Sequence, residues 1–225
     1  MENVLVLDQK KYKIEIVNKA QTRADICFNI ILLGDSGVGK SCFSIKAIKD
    51  EFIEQIEGEY FTSYDIKINN RSIRIQDVCG QDIYRSLVSN YYKNISIAIL
   101  MYAINDRESF DNIKSWLDDV KHKSRNDVMI ILVGNKTDLE EERKVTKEEA
   151  EKFKEDNKLD LFMETSAKTG NNVRKILIEA GKLLYGEFGE NIEVNKCENQ
   201  NITLCKKNNM TPDTISVKSS KGKCF

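Results

Sequence analysis

One histidine, one proline and one tryptophan stand among 225 residues, and the scarcity of the first removes a class of function. With His122 alone, neither a His-dependent catalytic triad nor a His-rich metal site can be the main chemistry. Its plain reading is an exposed residue at the end of a charged helix. The six cysteines (Cys27, Cys42, Cys79, Cys197, Cys205, Cys224) offer no C-x-x-C pair and no zinc spacing. No apolar run approaches the roughly 20 residues that span a bilayer. The N-terminus also lacks the basic segment and long apolar run of a secretory signal. An intracellular chain with reduced thiols is expected. Charge of one sign is missing too: 35 basic residues face 36 acidic ones for a net charge of −1, so no field favours nucleic acid. The length suits one well-buried domain with tails.

What is present is an alternation of strand-like and helix-like segments from Cys27 to about Gly186, which predicts an α/β domain over residues 27–186. Ile95–Tyr102 and Val128–Val133 are apolar runs rich in β-formers, as in strands covered on both faces. Leu159–Met163 is a weaker third. From Glu108 to Lys123, Phe110, Ile113, Trp116, Leu117 and Val120 recur at helical spacing, which assigns Trp116 to the core. Thr146-Lys-Glu-Glu149 reads as a capping box opening a helix through Phe153, and Asn172–Tyr185 repeats the helical pattern. In the extension 1–26, Lys13–Val17 alternates like a short strand without indicating a partner. Residues 187–225, rich in Asn, Lys, Ser and Thr and holding Pro212, cannot bury a core and are expected to form a flexible tail.

Four polar motifs follow four strand candidates, and in an open parallel sheet such strand ends converge on one crevice. Gly34-Asp35-Ser36-Gly37-Val38-Gly39-Lys40-Ser41 fits G-x-x-x-x-G-K-[ST] directly after the apolar run Phe28–Leu33. Its glycines would let successive N–H groups line one concavity for phosphate oxygens, at the positive end of the next helix. Lys40 would supply charge for the β- and γ-phosphates, and Ser41 a hydroxyl for Mg²⁺. In Asp77-Val-Cys-Gly80-Gln81, Asp77 would serve Mg²⁺, Gly80 would approach a γ-phosphate and Gln81 would orient an attacking water. In Asn135-Lys136-Thr-Asp138, Asp138 matches the two donors on the guanine edge, which adenine lacks, and Lys136 can lay its stem along the base. In Thr165-Ser166-Ala167-Lys168, loop N–H groups would meet the guanine carbonyl oxygen.

These residues, together with Tyr91-Tyr92, Arg107-Glu-Ser-Phe110, Trp116-Leu117 and Leu132–Leu139, resemble the Ras superfamily of small GTPases and within it the Rab branch, over about residues 27–186. The resemblance implies a three-layer P-loop fold with a six-stranded, mostly parallel sheet. It implies binding of GTP or GDP with Mg²⁺ by the Gly34–Cys42 stretch, Cys42 included, and slow hydrolysis. It further implies a monomer that cycles among effectors, an exchange factor and a GTPase-activating protein on the cytosolic face of an endomembrane. The chain departs from the family at its switches. In Tyr60–Ile66, Thr62 is the candidate Mg²⁺ ligand, the usual glycine is missing, and the following hairpin is short, with Asn69-Asn70 as a tight turn. Val78-Cys79 replaces the usual Thr-Ala, and Gln81-Asp82 the usual Gln-Glu. Cys224 is penultimate where the resemblance would place a prenylated cysteine, with Lys218, Lys221 and Lys223 to meet an anionic membrane; Cys197 and Cys205 are weaker sites. The shortened switch leaves a second reading open, a GTP-binding scaffold that does not hydrolyse. A P-loop kinase using ATP is disfavoured by Asn135-Lys-Thr-Asp138.

Overall fold

The apolar runs become the centre of a sheet. In the computed structural model, which describes residues 4–6, 13–16, 27–54, 61–68, 71–78 and 89–187, strand β3 (Cys27–Leu33) lies between β5 (Arg71–Val78) and β6 (Ile97–Ala103). Strands β7 (Met129–Asn135) and β8 (Leu161–Glu164) continue the parallel order beyond β6. Every residue of β6 and β7 is buried, because helices cover both faces and leave no solvent side for polar alternation. The chain divides into a unit Met1–Val194 and another, Asn195–Phe225, that lies wholly outside the described residues.

Successive side chains of β3 enter different cores, as strand geometry requires. Ile30 and Leu32 pack with Phe43 and Ile48 of α1 (Lys40–Lys49) and Ile176 and Leu177 of α5 (Val173–Glu187). Ile31 and Leu33 pack with Trp116, Leu117 and Val120 of α3 (Ile113–Lys123). The single helix expected over 108–123 is interrupted at Asn112, which separates α2 (Arg107–Asp111) from α3. The capping box is present in full: Glu149 N donates to Thr146 Oγ1 at 3.2 Å and Thr146 N to Glu149 Oε2 at 3.0 Å, opening α4 (Lys147–Asn157). His122 is exposed at the end of α3, its Nδ1 against Asp118 O.

The strand-like alternation near residue 13 finds its partner. Strand β2 (Lys13–Ile16) pairs antiparallel with β4 (Phe61–Ile68), Ile14 opposite Ile68 and Ile16 opposite Ile66, and β1 (Val4–Val6) pairs with β2. Among the described residues the sheet therefore has eight strands in the order β1-β2-β4-β5-β3-β6-β7-β8, and the six expected strands form its contiguous body. Ile68 stands opposite Arg71, so the expected turn at Asn69-Asn70, itself outside the described residues, is all that joins β4 to β5. Cross-strand, Arg74 grips Asp65 through Nε at 2.8 Å and Nη2 at 3.2 Å, fixing that register.

The added strands protect the edge of β4, which carries Thr62 at its other end. Ile14→Pro removes a donor and imposes its own φ within β2. Amide exchange at residues 66–68 should then accelerate at least about tenfold, from loss of roughly one to two ladder bonds, while exchange in β6 and β7 stays as in the parent. Unchanged exchange at residues 66–68 would contradict the pairing.

Candidate functional site

The site begins where β3 ends. Gly34 takes φ 137° with no room for a side chain, since a Cβ there would lie 2.1 Å from the Met101 carbonyl oxygen. Gly39, at φ 95°, is the residue before α1, and a Cβ on it would meet Asn135 Nδ2 at 2.5 Å. Among the described residues no side chain caps α1, and no acidic residue occupies its first turn. Its leading N–H groups and positive dipole end would thus suit an anion. Ser36 and Gly37 are exposed at the tip of the loop. Val38 buries its side chain in the core and presents only main chain to the site. Lys40 is 6% exposed, and its Nζ donates to the carbonyls of Gly34 at 2.8 Å and Asp35 at 2.6 Å, arching over the loop it follows. Cys42 lies one residue beyond Ser41, its Sγ donating to Ile53 O at 3.3 Å; burial pushes its thiol pKa up.

The next strand brings Asp77 to the same end. Asp77 is 5% exposed, and its Oδ1 has no hydrogen-bond partner among the described residues. Burial pushes its carboxyl above the usual range, against the Ser41 hydroxyl, the Lys40 charge and the Ser44 hydroxyl, which pull it down. A buried carboxylate oxygen left without a donor, beside a serine hydroxyl, is a cation's donor set. Magnesium fits this position: Ser41 and Asp77 would hold it, and when bound it neutralises charge on the β- and γ-phosphates. Thr62, the third expected ligand, lies inside β4 directly opposite Asp77 in the register. Gly80 and Gln81 lie outside the described residues.

At the far end of the crevice, β7 runs one turn of the pleat further than its apolar run and ends in Asn135, which is 1% exposed. Its side chain joins two loops through three hydrogen bonds. Nδ2 donates to Val38 O at 2.9 Å, while Oδ1 accepts from Thr165 Oγ1 and from Ala167 N, each at 3.1 Å. Lys136 takes φ 69°, a conformation costly for a side-chain-bearing residue, and so turns the chain sharply out of the strand. Asp138 is exposed and accepts from Ser166 Oγ at 2.6 Å through Oδ1, which orients the carboxylate. The expectation that loop N–H groups face the base narrows here. Ser166 N donates to Asn171 O and Ala167 N to Asn135, so of the three only the Lys168 N–H has no such bond among the described residues.

Sequence reasoning missed the supports. Arg143 donates to Glu140 at 2.7 Å and to Glu164 at 2.6 Å, tying the turn that carries Asp138 (Thr137–Glu142) to the end of β8. Thr165 was legible only as part of its motif, yet its hydroxyl completes the Asn135 junction. Tyr102 packs so closely on β7 that a Cβ on Gly134 would meet its hydroxyl at 2.6 Å. No periodicity signals any of these, because each contact spans distant segments.

The model of the Ras family matches residues 29–185 of this chain. The Ras-related protein Rab5 of Nicotiana tabacum is 41% identical over 160 residues, covering 69% of this chain and 80% of the relative.

Proposed function

The chain belongs to the Ras family of small GTPases, and from that premise we propose that it is a Rab-like switch in membrane traffic whose hydrolysis is slow. It is a GTPase, and its cofactors are GTP or GDP with Mg²⁺. The observation that carries the reading is the Asn135 junction. One buried amide holds the phosphate loop at Val38 and the Thr165–Ala167 loop at fixed separation, beside a carboxylate oriented by Ser166. Such a frame supports a nucleotide with phosphates at one end and guanine at the other.

In this reading Lys40 and the Gly34–Ser41 main chain hold phosphates, while Ser41, Asp77 and Thr62 serve Mg²⁺. Asn135, Lys136, Asp138 and the Ser166–Lys168 loop read the base, and Gln81 positions water in the pocket that Gly80 borders. Residues 27–186 act as the nucleotide domain of a monomer, and the tail carries a prenyl group on Cys224 to the cytosolic face of an endomembrane. Effectors, an exchange factor and a GTPase-activating protein are its protein partners.

The test is binding of GTP against ATP and single-turnover hydrolysis, in the wild type and in Gln81→Leu. GTP should outcompete ATP by about 100-fold or more, since ATP leaves Asp138 without donors. Gln81→Leu should slow cleavage at least about tenfold by removing the water-orienting amide. The two-residue connection after β4 and the place of Thr62 within the ladder favour the scaffold as a second reading. Tight GTP binding with no cleavage by either protein would establish it. Preference for ATP would overturn both.

A further inference from the structure

The second residue of the phosphate loop does something the motif does not ask of it. Asp35 turns its carboxylate toward α3, where Oδ1 accepts the Trp116 indole Nε1–H at 2.8 Å and Oδ2 accepts Asn112 Nδ2 at 2.7 Å. The main-chain carbonyl of the same residue takes Lys40 Nζ at 2.6 Å. The loop is thus gripped on two sides, by the side chain toward α3 and by the main chain toward α1. Trp116 is 1% exposed and its ring lies in the core with Leu33, Leu100 and Leu117, so the indole N–H is a rigid post. A carboxylate beside a triphosphate would repel it, and two donors that turn the group outward and spread its charge remove that penalty. The interruption of the helix at Asn112 places an amide there rather than an apolar side chain.

We propose that Asp35, Asn112 and Trp116 form a brace that sets the position of the phosphate loop. The Asp35 side chain then positions the loop and does not itself touch the nucleotide, which the loop's main chain meets. This rests on the nucleotide-binding reading above, and it deepens that reading by naming what holds the loop on its outer side. Trp116 is the chain's single tryptophan, so all indole emission comes from this residue.

The experiment uses the full chain and its variants D35A, D35N, W116F, N112A and D35A/W116F, followed by GDP release and indole emission. W116F, which removes one charged hydrogen bond, should release GDP about tenfold faster, D35A, which removes both, at least as fast as that, and D35A/W116F no faster than D35A. D35N keeps an acceptor for the indole and should stay within about threefold of wild type. The indole emission of D35A should differ from that of wild type at equal thermal stability. If W116F fails to fold, N112A with D35A/N112A supplies the same cycle through Oδ2. Additive effects, a D35A rate equal to wild type, or a D35N rate as fast as D35A would overturn the brace. Failure of the wild type to bind GDP would instead strike the functional reading, and the emission difference between wild type and D35A would still decide the brace.

Discussion

Gly34→Ala should leave no folded protein, whereas Gly37→Ala should fold. Both glycines lie in the left-handed region, at φ 137° and 81°, so both substitutions carry backbone strain of about 1–2 kcal/mol. They differ in what the new methyl meets. At Gly37 nothing among the described residues lies within 4 Å. At Gly34 the methyl would sit 2.1 Å from the carbonyl oxygen of Met101 and 3.1 Å from its carbon. Met101 is a fully buried residue of β6, in the strand that pairs with β3 at the centre of the sheet, so its main chain has nowhere to go. Overlap with immobile backbone belongs to the rare substitutions that cost more than about 4–5 kcal/mol, a large part of a domain's stability. Thermal unfolding of the two variants checks this. A cooperative transition for Gly34→Ala within a few degrees of Gly37→Ala would show that the loop does not abut β6 as described.

Asn135→Ala should lower nucleotide affinity by about 100-fold or more and also destabilise the nucleotide-free domain. The amide is the shared partner of Val38 O, Thr165 Oγ1 and Ala167 N, all buried. Truncation leaves these groups without partners, and each unsatisfied buried group costs about 1–3 kcal/mol. The losses overlap because the three groups belong to one network, so about 3–5 kcal/mol in total is expected. Asn135→Asp separates the components. It keeps an acceptor for Thr165 and Ala167 but sets a carboxylate oxygen against the Val38 carbonyl, with no donor between them. It should therefore be about as damaging as alanine, with the harm on the phosphate-loop side. GDP affinity and thermal stability, measured for both variants with and without Mg²⁺, test the junction. If Asn135→Asp binds GDP like the wild type, the bond to Val38 is not what holds the loop.

Much of the site was legible because its chemistry is local. A glycine turn between an apolar run and a helix, with lysine and serine at its end, needs no neighbours to be recognised. The apolar runs placed β3, β6, β7 and β8 within a few residues of their ends. Three features were not legible. Lys13–Ile16 announced a strand but not its place, because pairing depends on which edge is left open, and β4 offers one only once β5 has taken its other side. Trp116 at helical spacing reads as core, and core it is, yet period alone cannot show that the polar edge of the ring reaches Asp35, 81 residues away. Asp138 was expected to meet the base edge, but nothing in its motif shows that Ser166, 28 residues on, orients its carboxylate.

The sequence by itself determined the layered α/β fold, the order of the motifs along it and the chemical groups brought to the crevice. These follow from hydrophobic period and from residue types whose backbone and side-chain chemistry is their own. Only the tertiary structure decided which of those groups meet: Asn135 with Val38 and Ala167, Asp35 with Trp116, and β2 with β4. A hydrogen bond is satisfied by whichever donor the fold delivers within about 3 Å, and that choice is made by the packing of distant segments.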